Sequence, residues 1–105
     1  MTAVRMLWTN ASKRQFDELR QRAADTHHEA EFVAVHNEIV AVLRDLDRVS
    51  EKSDPLYNTK KPGGVVRHFL HKFVSVTFYL FAQDRVGWVT KYHSVPANWP
   101  ERGTP

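Results

Sequence analysis

Residues 60–93 constrain the fold more than any other part of the chain, because β-branched and aromatic side chains dominate this stretch. Three runs within it have the composition and length of strands, over 65–71, 73–82 and 86–93. We expect them to form an antiparallel sheet that carries the functional surface. The preceding sequence is then expected to supply helices that cover one face of this sheet.

The residues before this stretch predict a short strand and two helices. Residues 4–8 are apolar and β-prone, and they stop at Thr9 and Asn10, either of which can cap a helix. Apolar side chains recur at helical spacing over 11–24 and again over 29–49. The second run would be about 30 Å long as one helix, at about 1.5 Å per residue. We expect the two helices to form a hairpin across the sheet.

The chain has the size of one domain with one core, since it has 105 residues of which 42% are hydrophobic. We therefore predict a single domain over 1–105. Pro and Gly are frequent over 50–64, which predicts a loop, and three Pro residues over 94–105 predict an extended C-terminal tail that Trp99 can dock. No signal peptide or membrane span is evident, so the expected location is the cytoplasm, without membrane contact.

Charge and residue types narrow the possible chemistry. The formal net charge is +3, and many of the basic residues lie in or beside the predicted sheet, which favours an anionic partner such as nucleic acid or an acidic protein. The absence of Cys excludes disulfides and thiolate chemistry. His68 and His71 lie three residues apart in a strand, so they leave opposite faces and cannot share a metal. We expect no metal and no cofactor.

Alternation of side chains predicts the register of the last two strands. The even-numbered residues over 74–82 form an unbroken apolar face that should contact the helices, and Trp88 and Tyr92 give the last strand the same parity. A loop that pairs Ala82 with Val86 keeps both apolar faces on one side. It sets two pairs on the outer face: Thr77 with Lys91, and Ser75 with His93.

The register of 65–71 depends on which polar residue faces the core. Burying a guanidinium costs far more than burying a neutral imidazole. We therefore predict that Leu70 pairs with Val74, which turns His68 inward and Arg67 outward. The predicted outer face then carries Arg67, His71, Thr77, Tyr79, Lys91 and His93.

Two cations, two imidazoles and a phenol on one exposed sheet fit a site that grips and cleaves a phosphodiester. An Arg clamps phosphate through two parallel hydrogen bonds, a Lys offsets developing negative charge, and His or Tyr transfers protons. The same residues also fit an ordinary solvated face of a half-exposed sheet, and composition alone favours that alternative.

The order of strand, two helices, loop and three antiparallel strands resembles the RelE/ParE toxin superfamily of bacterial toxin–antitoxin systems. The segments that carry the resemblance are LWTNASKRQFDEL, DPLYNTKKPGGVVRHFL and VSVTFYLFAQDRVGWVTKYH. The resemblance as a whole covers residues 4–93. The resemblance implies an α+β, RelE-like fold. A short N-terminal strand precedes a helical hairpin and a three-stranded antiparallel meander, with the helices packed on one face of the sheet.

RelE-type members are mRNA interferases, which cut messenger RNA at the ribosome without a metal by activating the ribose 2′-hydroxyl. The resemblance implies a toxin with a cognate antitoxin partner, and with mRNA and the ribosome as targets. Carried over by position, the catalytic candidates are His93, Arg67, Lys91 and Tyr92. The RNA-binding candidates are Lys60, Lys61, His71, Tyr79 and Arg85. Since the register turns His93 outward and Tyr92 inward, His93 is the predicted proton-transfer residue.

The sequence also departs from the RelE pattern. Residues 74–79 contain no basic side chain, and Arg102 is the lone basic residue near the C-terminus. These departures fit a ParE-like relative, a non-enzymatic toxin that binds DNA gyrase, or an inactive binding module with a basic surface. Clustering of the basic candidates with His93 on one patch favours the ribonuclease, and scattering favours the other two.

Overall fold

The computed structural model describes residues 2–56 and 63–100, in which helices cover one face of a sheet. The helices are α1 (Asn10–Asp25), α2 (Glu29–Leu43) and α3 (Leu46–Lys52). The strands are β1 (Arg5–Trp8), β2 (Asp54–Pro55), β3 (Val65–His71), β4 (Val74–Phe81) and β5 (Val86–Ser94). This order confirms the predicted α+β architecture of N-terminal strand, helical hairpin and closing meander.

Within the described residues the five strands form one sheet in the order β1-β5-β4-β3-β2. Strands β3, β4 and β5 pair antiparallel, as predicted, while β1 lies parallel to β5 at one edge. The two residues of β2 pair antiparallel with β3 at the other edge. Strand β4 is therefore central, and side chains from β3 and β5 flank it on both faces.

The core lies between the helices and the inner face of β4. The even-numbered apolar residues of β4 are buried, which confirms the predicted parity of this strand. Phe32 and Ile39 of α2 have no exposed surface and join the same apolar cluster. Burying one such side chain contributes roughly 1.5–3 kcal/mol, so the cluster fixes which sheet face stays open. No helix within 2–56 and 63–100 is both long and apolar enough to span a bilayer.

Local hydrogen bonds determine where the helices begin and end, and the expectation of one continuous second helix is wrong. Of the two predicted cap candidates, Thr9 caps α1, accepting through its side chain from the Ser12 amide at 3.1 Å, and Asn10 is the first residue of the helix. The predicted second helix, however, ends with α2 and restarts as α3. The Val4 amide donates to the Arg44 carbonyl at 2.8 Å, and Asp45 caps the new helix. The N-terminal segment thus pairs at the break and makes the interruption favourable.

The tail after β5 docks through Trp99. Ser94 still belongs to β5, and Pro96–Asn98 forms a 3-10 turn. Trp99 is 2% exposed, packs edge-on against Phe73 at 4.8 Å between ring centroids, and carries the Arg22 guanidinium over its ring. The described part of the tail is therefore attached to the domain, and residues 101–105 lie outside the description.

A bulge in the β4–β5 hairpin changes which residues of β5 face the helices. Both predicted outer pairs are confirmed: Thr77 with Lys91, and Ser75 with His93. Beyond them Phe78 pairs with Val89, which leaves Thr90 as the extra residue. An extra residue reverses the parity of the rest of the strand.

The reversed parity exchanges the inner and outer sides of two β5 residues. Val89 is fully buried, whereas Trp88 is 40% exposed, opposite to the prediction for Trp88. The predicted pairing of Ala82 with Val86 is also wrong, because Phe81 pairs with Val86. The bulge thus moves a tryptophan onto the open side of the sheet.

The predicted register of β3 is wrong. His71 pairs with Val74 across a two-residue turn, so the odd-numbered residues of β3 face the helices. Phe69 enters the core, while Leu70 is 48% exposed. Arg67 lies on the helix side and His68 on the outer side. Two effects account for this choice: phenylalanine gains more from burial than leucine, and Arg67 is half-buried with hydrogen-bond partners rather than buried alone.

Candidate nucleic-acid interface

The sheet surface turned away from the helices, the open face, carries three rows of residues that pair across β3, β4 and β5. The lysine row is His68, Thr77 and Lys91. The histidine row is Leu70, Ser75 and His93. The aromatic row is Val66, Tyr79 and Trp88. The polar groups of the first two rows therefore lie side by side on one surface.

Lys91 and His93 are both exposed and project from the same side of β5. Their Cα atoms are about 6.6 Å apart, since they are two strand residues apart. Across the described parts of the chain, neither side chain has an ion pair or a side-chain hydrogen bond. An ammonium group and an imidazole are thus available to one phosphate group at this point.

His68 brings a second imidazole to the open face. It pairs with Thr77, which pairs in turn with Lys91, so its Cα lies two strand spacings from that of Lys91, about 9.6 Å. The sequence prediction placed His68 inward and missed it as a site residue. The signal that could have identified it is the alternative parity of β3, in which Phe69 rather than Leu70 faces the core.

Arg67, a predicted catalytic residue, lies on the other side of the sheet from Lys91 and His93. Its Nε donates to the Ser53 hydroxyl at 2.6 Å, and its Nη2 donates to the carbonyls of Ser50 and Ser53 at 3.0 and 2.8 Å. These carbonyls stand at the C-terminal end of α3, where a cation is favourable. The structure therefore gives Arg67 a structural position that attaches α3 to the sheet.

His71, a predicted RNA-binding residue, also lies on the helix side. Its Nε2 contacts the Glu38 carboxylate of α2, and the Lys72 ammonium lies 3.8 Å from the same carboxyl group. The hydrogen bond with His71 holds the pKa of Glu38 below its ordinary value, and the positive charge of Lys72 adds to this effect. His71 thus contributes to an ion pair between α2 and the β3–β4 turn.

Tyr92, the other predicted catalytic residue, faces the helices as expected and is 3% exposed. Its hydroxyl accepts from Trp8 Nε1 at 2.7 Å and lies 2.8 Å from His36 Nε2. The hydroxyl keeps its own proton when it accepts from the indole, and it can donate that proton to Nε2 of a neutral His36. Burial raises the pKa of Tyr92 to about 12, against the lowering effect of the Trp8 hydrogen bond. Tyr92 therefore stays protonated and connects β1, β5 and α2.

This buried link predicts that folding stability depends on pH through His36. Burial lowers the pKa of His36, so the unfolded chain binds a proton at a pH where the folded chain does not. We expect the free energy of unfolding to fall as the pH drops from about 7.5 through the ordinary histidine value of about 6.5. Chemical denaturation at pH 5.5–8 measures this slope, above the pH range in which Glu38 is protonated.

His36→Gln is the matched variant for this prediction, because glutamine keeps an acceptor for Tyr92 without titrating in this range. The slope between pH 8 and 5.5 should flatten in this variant. His27→Asn, which removes an exposed histidine from the α1–α2 turn, should keep the wild-type slope. Equal slopes in wild type and His36→Gln would contradict the assignment of the neutral imidazole.

The other predicted RNA-binding residues occupy different places. Tyr79 belongs to the aromatic row and stacks on Phe81, with ring centroids 6.3 Å apart. Arg85 is exposed in the β4–β5 turn, and its carbonyl accepts from the Arg5 amide at 2.8 Å. Lys60 and Lys61 lie outside the described residues. Among 2–56 and 63–100, no three His, Asp or Glu side chains come together as a metal site.

Comparison with known proteins supports the fold. No family model matches the chain, and no curated protein matches it in sequence. A solved structure titled "Chromosomal ParDE TA system from P. aeruginosa" is similar to it, with a TM-score of 0.57 and 15% sequence identity over 90% of this chain and 99% of the other. This chain has a RelE/ParE-like fold. The two chains thus share this fold although their sequences are only 15% identical.

Proposed function

We propose that this chain is the toxin of a toxin–antitoxin pair and cleaves messenger RNA at the ribosome without a metal. The observation that carries the proposal is that Lys91 shares the open face with two histidines: His93, two residues along β5, and His68, two strands away in the same row. Two imidazoles and one ammonium group on one surface provide the groups needed to move two protons and stabilise one developing negative charge.

The reaction is a transfer within the RNA backbone. One imidazole removes the proton of the ribose 2′-hydroxyl, and the 2′-oxygen forms a bond to the adjacent phosphorus. The bond from phosphorus to the 5′-oxygen of the next nucleotide breaks, and the other imidazole protonates that oxygen. Lys91 stabilises the additional negative charge on the phosphoryl oxygens. The products are a 2′,3′-cyclic phosphate and a 5′-hydroxyl.

The role of the ribosome follows from how open the site is. The histidine and lysine rows lie on the sheet face away from the helices, where Lys91 and His93 are exposed, so the protein itself supplies little to fix the geometry of a flexible RNA. A cleavage step requires the 2′-oxygen, the phosphorus and the leaving oxygen to be aligned. We assign that alignment to the ribosome, which holds the codon, while this chain supplies the proton-transfer groups.

The antitoxin part of the proposal rests on the fold and on the surface. The solved neighbour belongs to a toxin–antitoxin system by its title. The rows of the open face combine the Lys91 ammonium and two histidines with exposed apolar side chains, among them Leu70 and Trp88. An antitoxin with acidic and apolar residues would complement that surface and block the catalytic groups together.

A second candidate is a non-enzymatic toxin that binds DNA gyrase. The positions of Arg67 and Tyr92 favour it, because both side chains are occupied by structural contacts away from the open face. A RelE-like site that uses an arginine and a tyrosine would lack both here. In this candidate the open face acts as a protein-binding surface, and its histidines have no catalytic role.

Expression in a bacterial host, with and without a small protein encoded beside this chain, tests the proposal against that candidate. We expect growth arrest with new mRNA ends inside translated codons, and no new ends when translation is blocked or the neighbour is co-expressed. Arrest with intact messages and DNA damage would support gyrase binding instead. Absence of any growth effect would contradict both toxin proposals.

A further inference from the structure

We infer that a pocket beside the lysine row binds a single RNA base by stacking, so that this chain itself reads one nucleotide of its substrate. The inference rests on the proposed cleavage of RNA and concerns the same open face. The pocket has a volume of about 200 Å³ and is lined by Thr9, Tyr79, Phe81, Trp88 and Thr90. Three of these five residues are aromatic.

The aromatic side chains form a platform rather than a closed core. Trp88 is 40% exposed because the bulge at Thr90 turns it outward. Tyr79 pairs with Trp88 across the strands and stacks on Phe81. Proteins that bind single-stranded RNA present aromatic faces of this kind, on which unpaired bases stack. A pocket of about 200 Å³ has room for one planar base.

The position of the pocket relative to the catalytic groups supports an RNA occupant. Thr90, at the edge of the pocket, directly precedes Lys91, and Tyr79 follows the Lys91 partner Thr77 by two residues, about 6.6 Å along β4. A nucleotide whose phosphate contacts Lys91 can therefore place a neighbouring base over Trp88. Among residues 2–56 and 63–100, no acidic side chain lines the pocket, so the described lining does not repel the phosphate backbone.

Two threonine hydroxyls offer hydrogen bonds to the edge of such a base. Thr90 Oγ1 donates to the Thr77 carbonyl at 3.2 Å, which leaves its oxygen free to accept. Thr9 Oγ1 accepts from the Ser12 amide at 3.1 Å, which leaves its proton free to donate. One acceptor and one donor at the rim provide a means to prefer some bases over others.

NMR of the tryptophan indole N–H groups tests the inference without requiring cleavage. Purified full-length protein is titrated with a single-stranded RNA tetranucleotide whose 2′-hydroxyls are methylated at each bond, so that it cannot be cut. We expect a saturable shift of the Trp88 signal. The signals of Trp8, bonded to Tyr92, and of buried Trp99 should stay in place.

Matched variants separate stacking from general apolar contact. Trp88→Phe keeps an aromatic face and should bind within about 3-fold of wild type, whereas Trp88→Leu keeps apolar surface alone and should bind roughly 5- to 100-fold more weakly. Val33→Ala is the control, because Val33 is an apolar residue of α2 that is 36% exposed, close to the 40% of Trp88. This variant should bind the RNA as tightly as wild type. Trp88→Leu should also flatten the base preference at cleavage sites mapped in cells.

The outcomes distinguish this inference from the proposed function. RNA that shifts the signals of Lys91 and His93 but leaves Trp88 unchanged would overturn the base pocket and leave cleavage standing. A Trp88 shift in a protein that cleaves no message would support the pocket and overturn the ribonuclease. Wild-type affinity in Trp88→Leu, or a Trp88 signal that responds to an antitoxin and never to RNA, would overturn the pocket.

Discussion

His93→Ala is expected to lower the rate of mRNA cleavage on ribosomes by about 10²- to 10⁴-fold, which is the usual contribution of one general acid or base. The imidazole is exposed on the open face without side-chain partners among the described residues, so its removal leaves no buried group unsatisfied. The free energy of unfolding should therefore change by less than about 0.5 kcal/mol. Single-turnover cleavage of a programmed ribosome complex, together with chemical denaturation, measures both quantities.

The same assay distinguishes a pair of imidazoles from a single one. His68→Ala should also reduce cleavage strongly, because the proposal assigns one proton transfer to each histidine. His27→Asn is the matched control: it removes an exposed histidine far from the open face, and asparagine tolerates the φ of 62° found there. Full activity in both His68→Ala and His93→Ala would exclude acid–base catalysis by this surface.

Arg67→Ala is expected to destabilise the fold by about 2 kcal/mol rather than to abolish chemistry. The guanidinium donates three hydrogen bonds, to the Ser53 hydroxyl and to two carbonyls at the end of α3. Its loss leaves those carbonyls without a donor and detaches α3 from β3. Since the side chain is half-buried, solvent replaces part of the lost interaction, which limits the cost.

Arg67→Lys should lie between wild type and alanine in stability, because an ammonium keeps the charge near the helix end but cannot reproduce the three-way contact. Cleavage per folded molecule, measured below the unfolding transition, should stay close to wild type in both variants. If Arg67→Ala instead lost activity as completely as His93→Ala while unfolding like wild type, Arg67 would have to act on the open face, contrary to its observed position.

The sequence predicts the parts of this fold that depend on strong local patterns. The unbroken apolar alternation of β4 leaves one possible inner face, and the cap at Thr9, one of two predicted candidates, needs a hydroxyl and nothing distant. The pairing of Lys91 with Thr77 follows from the same alternation and proved correct. The sequence therefore placed two of the three residues of the proposed site, Lys91 and His93, on the correct face.

Other parts depend on partners that are distant in sequence. The high cost of burying a guanidinium did not predict the position of Arg67, because carbonyls at the end of α3 accept hydrogen bonds from it. Helix α3 precedes β2 and is distant from Arg67 in sequence. That error hid His68. The bulge at Thr90 could not be predicted from alternation, since Val89 and Trp88 are both acceptable core residues. Because the bulge was not predicted, Trp88 was assigned to the core and the aromatic row was missed.

The most direct test is to add purified protein to ribosomes that hold a defined codon in the A site and to map the 5′ ends of the message. We predict a new end within that codon, carrying a 5′-hydroxyl, and an upstream fragment that ends in a 2′,3′-cyclic phosphate. The same message without ribosomes should remain intact. An uncut message on the ribosome, with gyrase supercoiling inhibited by the same protein, would contradict the ribonuclease and establish the binding toxin.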